Sequence, residues 1–179
     1  YWVGPDRAFD TTRYAVIQPD TLGVASLDPA ATTSATRSGL NMAFPRFNIR
    51  DMVRAEHRML TRHLGIRHLV AVAGSSMGGI EALQWAVSYP DAMESVVAII
   101  PLARTPAWTT GVLEMLRQSI MADAKWNGGN YAPSDPPEQG MRLWAGWLSG
   151  VIVRTPVYQE ELYPRGGDDE IKYLKAVQD

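Results

Sequence analysis

The chain has 179 residues, 46% of them apolar, with no cysteine and a formal net charge of −2, the proportions of an ordinary globular chain about one domain long. Without cysteine there are no disulfides, thiolate nucleophiles or cysteine metal sites. No basic stripe calls for nucleic acid and no apolar run reaches the length of a membrane helix, so neither is expected as a partner.

The opening residues, Tyr1-Trp2-Val3-Gly4-Pro5, lack an initiator Met and a charged n-region followed by an apolar stretch, so the chain is expected to be cut from a longer one. Tyr14 to Ile17 is a short apolar run closed by Pro19, which predicts a buried strand. From Thr21 to Phe44 the sequence is rich in Ser, Thr, Ala, Gly and Pro without a sustained period. It reads as a long loop of the kind that carries function in α/β folds.

A helix is predicted from Asn48, which can cap it, with Asp51 three residues on and Ile49, Met52, Val53, Leu60 and Leu64 on one face; Gly65 ends it. His57 falls on or beside that face, and His63 and His68 fall at the helix end and at the start of the next strand. The expected placement is beneath the sheet or at the strand's amino end, away from the carboxyl end where α/β sites form, so none of the three is read as catalytic.

His68 to Ala73 is a run of β-formers, Ile80 to Val87 a helical run, and between them stands Gly74-Ser75-Ser76-Met77-Gly78-Gly79. Strand, sharp turn and helix around G-x-S-x-G are the setting of a nucleophile elbow, with Ser76 at its apex. The glycines permit close approach of backbone and helix. The Met77 amide, at the start of the helix, is placed to stabilise the oxyanion of a tetrahedral intermediate. A glycine- and serine-rich turn without chemistry is the competing reading, and the flanking strand, helix and doubled glycine weigh against it. Ser75 is the rival nucleophile; the glycine spacing selects Ser76 and directs Ser75 toward the packed side of the turn.

Tyr89-Pro90-Asp91 breaks the chain, and Ser95 to Ile100 is an almost uniformly apolar strand, expected to be buried on both faces. Strands at 14–17, 68–73 and 95–100 with helices between them predict an α/β fold with a parallel, doubly wound sheet. Beyond Pro101 the strand signal stops. Helices are predicted from Val112 to Ala124 and from Gln139 to Val153, followed by a short one at 171–179. The division expected is therefore a partial core at 1–101 and a helical region at 102–179. Trp108, Trp126, Trp144 and Trp147 with Met115, Met121 and Met141 give that region a large apolar surface, read by default as mostly core. As a lid it would offer an acyl-binding wall. Asp168-Asp169-Glu170 is read as a solvated helix start, and no metal site is expected.

Several segments resemble the homoserine O-acetyltransferase family of α/β-hydrolase-fold enzymes: residues 3–14, Ile49 to Ala55 with Leu64-Gly65-Ile66, Ser76-Met77-Gly78-Gly79 with Ala82-Leu83-Gln84-Trp85 and Tyr89-Pro90-Asp91, and Trp126 to Tyr131 with Pro136-Pro137-Glu138. They stand in family order across most of residues 3 to 155. The resemblance implies the α/β-hydrolase fold with a helical lid, incomplete in this chain. It also implies acyl transfer from a thioester to a hydroxyl through an acyl-serine, with a Ser-His-Asp triad; related members hydrolyse esters. Acyl-CoA would be a co-substrate of the transferase alternative only, and no cofactor is otherwise expected.

The chain departs from that pattern in specific places. The loop at 21–44 lacks the Gly-Ser-Thr-Gly-Pro kind of sequence of biosynthetic members. An Arg and a Tyr that hold the homoserine carboxylate in the family correspond here to Gly146 and Val153, with Arg142 or Arg154 as substitutes if the correspondence slips by a residue. Two such positions supply no charge-assisted hydrogen bond, which tilts the expectation toward ester hydrolysis with water as acceptor. No His follows His68, whereas the family's acid and His follow the lid, and the second oxyanion donor would precede Tyr1. The chain is thus expected to be the middle of a longer enzyme acting on a small-molecule ester or acyl donor, cytoplasmic and homodimeric through the lid. A hydrolase-fold remnant without catalysis is the third alternative.

Overall fold

The computed structural model describes residues 2–23, 34–35 and 38–152. The predicted helix at 171–179, Asp168-Asp169-Glu170 and part of the 21–44 loop lie outside these residues. Two compact units divide the chain, Tyr1–Ser34 with Arg46–Pro101, and Ala35–Pro45 with Leu102–Asp179.

The first unit begins with β1 (Val3–Gly4) and β2 (Phe9–Asp10), a short parallel pair. Tyr14 to Ile17, expected as a strand, is irregular and exposed. A strand needs a hydrogen-bonding neighbour, and this run pairs with neither described sheet. Helix α1 (Ile49–Arg58) starts as predicted: the Asp51 N–H donates to Asn48 Oδ1 at 3.2 Å and the Asn48 N–H to Asp51 Oδ2 at 3.1 Å, a reciprocal capping box. It continues through a wide turn, Met59–His63, before Gly65 reverses the chain at φ +69°.

Strand β3 (Leu69–Ser75), helix α2 (Met77–Ser88) and strand β4 (Met93–Ile99) form a parallel β-α-β unit with Ala71 beside Ser95 and Ser75 beside Ile99. Helix α2 packs on both strands and α1 packs on α2. The core is built from Val53, Leu60, Trp85 and Met93, with Ile49, Leu69, Val72, Tyr89 and Val96 around them. Their burial is the main stabilising term, at about 25 cal/mol per Å² of apolar surface. β4 was expected to be buried on both faces, yet Val97 is exposed, as is Val70 on β3. Two-sided burial requires a layer on each face of a sheet, and the described residues cover these strands only in part.

In the second unit α3 (Ala107–Met121) packs against α4 (Glu138–Trp147), which runs on into a wide turn at Leu148–Ile152. Gly140 lets the helices touch: a Cβ there would lie 2.7 Å from Ile120 Cα and from the Ser119 carbonyl oxygen. Asp123 joins the two ends, accepting from the Gly140 N–H at 2.9 Å and from the Lys125 N–H at 2.8 Å. Most of the Trp and Met side chains read as core stand outside it. Trp108, Met115, Met141, Trp144 and Trp147 are exposed, and Leu116 is the buried apolar side chain of α3. A two-helix contact centred on a glycine closes over a narrow stripe, leaving the larger side chains at its flanks.

Candidate active site

β3 ends at Ser75 and α2 begins at Met77, so the whole change from extended to helical backbone falls on Ser76, at φ 54° and ψ −117°. This conformation is sparsely populated for a residue with a side chain and costs on the order of 1–3 kcal/mol. The surroundings hold it. The Ser76 N–H donates to the Ile99 carbonyl at 3.0 Å, and the Ser76 carbonyl accepts from the Ile80 N–H at 3.1 Å. Gly74 and Gly79 provide the space: a Cβ on Gly74 would fall 2.1 Å from the Gly78 carbonyl oxygen, and one on Gly79 2.9 Å from that of Ile99.

Ser76 and Ser75 are both exposed, so accessibility does not separate the two serines, and the expectation that Ser75 faces the packed side is not met. The backbone does separate them. Ser75 is a β3 residue in register with Ile99, whereas Ser76 stands at the turn. The Met77 N–H, first in α2, has no acceptor within its own helix and sits at the positive end of its dipole. A hydroxyl and a helix-start amide adjacent in the chain can attack a carbonyl and receive the oxyanion that results.

The histidines lie elsewhere. His57 stacks on Tyr89, ring centroids 3.8 Å apart and planes 5° from parallel, with Trp85 5.7 Å away. Tyr89 follows the carboxyl end of α2, twelve residues past its first residue, roughly 18 Å along the helix from the elbow. His68 precedes β3 and is 3.6 Å from Glu94, roughly 25 Å of strand from Ser76. His63 is exposed at the end of the wide turn that follows α1. Two concavities of this unit, one lined by His57, Leu60 and Trp85 and the other by Asp20, Met52 and Glu56, do not include Ser76.

Two features gave no signal in the sequence. Glu81, only 7% exposed on α2, hydrogen-bonds to Glu56 of α1, whose Oε2 also accepts the Trp85 indole N–H at 2.7 Å. Burial, then the charge of Glu56 and the hydrogen bond to it, push the Glu81 carboxyl up to about 7. Burial also raises Glu56, against the opposing hydrogen bonds from Trp85 and Glu81. The second feature is Ile100, at φ 44° and 75% exposed. Of the described non-glycine residues at positive φ, the others are Asp6, Asn41, Ser76 and Asn127, and Ile100 is the β-branched one.

Gly146 is half-buried in α4, and Val153 lies outside the described residues. Arg142 donates to Glu138 Oε1 at 3.2 Å. Among the described residues no group of three or more His, Asp or Glu is placed to hold a metal, and no helix is long and apolar enough to cross a membrane.

The sequence matches the family described as alpha/beta hydrolase fold over residues 1–143. It is 45% identical over 144 residues to a homoserine O-acetyltransferase of Zymomonas mobilis, covering 79% of this chain and 38% of that protein. The fold is similar to an acetylester hydrolase from Corynebacterium glutamicum, at TM-score 0.81 and 27% identity, over 99% of this chain and 52% of that one. It is also similar to a homoserine O-acetyltransferase from Bacillus anthracis, at TM-score 0.71 and 27% identity, over 99% and 52% of the two chains. The matched part of the chain thus spans 38% of the curated relative, and the chain about half of the solved structures. The resemblance drawn from the sequence segments is borne out, as are the α/β class and the parallel pairing of the strands that flank α2.

Proposed function

Because this chain belongs to the alpha/beta hydrolase fold family, we propose that it carries the nucleophile of an acyl-transfer enzyme that cleaves carboxylic esters through an acyl-serine. The observation that carries this reading is the backbone of Ser76, held at φ 54° between β3 and α2 at a cost that a structural turn could avoid with glycine.

In the proposed reaction Ser76 Oγ attacks the ester carbonyl carbon while its proton passes to a base. The Met77 N–H donates to the oxyanion of the tetrahedral intermediate. Collapse breaks the bond to the alcohol oxygen, which leaves with the proton, and water then attacks acyl-Ser76 to release the acid and regenerate the hydroxyl. His57, His63 and His68 stand at other parts of the unit, so the base and its acidic partner are assigned to residues outside these 179. The helical region from 102 onward is assigned the role of a lid, and Gly146 and Val153 are assigned to substrate binding as the positions that correspond to a carboxylate clamp. Pairing of two copies through this lid and a cytoplasmic location belong to the same proposal.

Transfer of the acyl group from acyl-CoA to a hydroxyl such as that of homoserine is the second reading, favoured by the 45% identity to a protein of that name. Both readings share acyl-Ser76. Treating the complete protein with a fluorophosphonate should label Ser76; Ser76→Ala should abolish labelling and lower turnover by several orders of magnitude, while Ser75→Ala keeps most of the label. Incubation with acetyl-CoA, with and without homoserine, separates the acceptors. Release of CoA that depends on homoserine and far exceeds release to water would overturn the hydrolase reading.

A further inference from the structure

Immediately after β4 the chain does something that its composition disfavours. Ile100 is β-branched and precedes Pro101, and each of these properties favours extended backbone, yet its φ is 44°. Its apolar side chain is 75% exposed. The strain is not local slack, because both neighbours are fixed against the elbow. The Ile99 carbonyl accepts the Ser76 N–H at 3.0 Å, and the Gly79 position, where a Cβ would lie 2.9 Å from that carbonyl and 3.4 Å from Pro101 Cβ, packs against the segment on both sides of Ile100. The peptide that joins Ile99 to Ile100 is therefore the one bonded to the nucleophile's own amide. Ile100 follows the register pair Ser75 with Ile99 just as Ser76 does, so the two adjacent strands are each left through a positive-φ residue, one carrying a hydroxyl and the other an apolar branch.

We propose that Ile100 is a specificity-determining residue of the acyl site, its side chain forming a wall against which the acyl chain on Ser76 rests and which limits that chain's length. The proposal rests on the acyl-serine reading given above. A glycine at position 100 would relieve the strain and remove the exposed apolar surface, so a chain reversal alone does not account for isoleucine. An acyl group lying against it would cover the side chain during turnover, and the contacts of Ile99 and Pro101 with the elbow hold the backbone on both sides of it.

The test uses the complete protein, unaltered and as Ile100→Gly and Ile100→Trp, with p-nitrophenyl acetate and hexanoate as substrates and fluorophosphonate labelling of Ser76 as control. Ile100→Gly is expected to raise the hexanoate-to-acetate ratio of kcat/KM about tenfold, with labelling retained and thermal stability unchanged or higher. Ile100→Trp is expected to lower the ratio by a similar factor; if it does not fold, the glycine variant decides alone. Labelled variants whose ratio stays within about twofold of the unaltered protein would overturn the assignment. Failure of the unaltered protein to label at Ser76 would instead overturn the acyl-serine reading, and the role of Ile100 with it.

Discussion

Gly74 and Gly78 approach so closely that a Cβ added to Gly74 would lie 2.1 Å from the Gly78 carbonyl oxygen, whereas a Cβ added to Gly78 would meet nothing within 4 Å. The elbow's two motif glycines are therefore unequal. One makes room for a backbone crossing, and the other presents an open face on the first turn of α2.

Gly74→Ala should accordingly destabilise the protein by roughly 1–3 kcal/mol or more, because the obstructing atoms are backbone and cannot rotate away. Gly78→Ala should be neutral, or stabilising by up to about 1 kcal/mol through helix propensity. Thermal melts of the two variants check the asymmetry, and equal losses would show that the crossing at Gly74 is not the controlling contact.

The Glu81 and Glu56 pair predicts a pH dependence of stability. With its carboxyl raised from 4.5 to about 7, folded Glu81 holds a proton that the unfolded chain releases. Its contribution is fully present below about pH 4.5 and is lost as pH rises through about 7. Glu81→Gln keeps a donor toward Glu56 and has no proton to lose. Denaturant titrations between about pH 5 and pH 8 should show the unaltered protein losing on the order of 2 kcal/mol relative to this variant. Parallel pH profiles would contradict the buried shared proton.

At the start of α1, Asn48→Ala removes the side-chain acceptor for the Asp51 N–H and breaks the reciprocal bond pair. The expected cost is about 1 kcal/mol. Asn48→Ser, which restores an acceptor of similar reach, should recover most of it in the same denaturation measurement.

Interactions that close within about four residues were legible in the sequence. The Asn48 and Asp51 cap, the start of α2 at Met77 and the glycine-framed turn at Ser76 depend on neighbours along the chain, so residue type and spacing determined them. The strands that flank α2 were legible as apolar runs, although each is shifted by one residue at one end and two at the other, to Leu69–Ser75 and Met93–Ile99, because pairing and not composition sets where a strand ends. Tyr14 to Ile17 has the composition of a strand and no partner in the described sheets, and composition cannot supply one. Glu81 carries no sequence signal of its burial; its partner Glu56 stands on α1, and the indole bonded to Glu56 lies 29 residues further along the chain. Ile100 reads as the last residue of an apolar strand. Its positive φ belongs to the tertiary structure, where Ser76 and Gly79, more than twenty positions earlier, hold Ile99 and Pro101 on either side of it, because backbone strain persists only where packing from distant parts of the chain leaves no cheaper conformation.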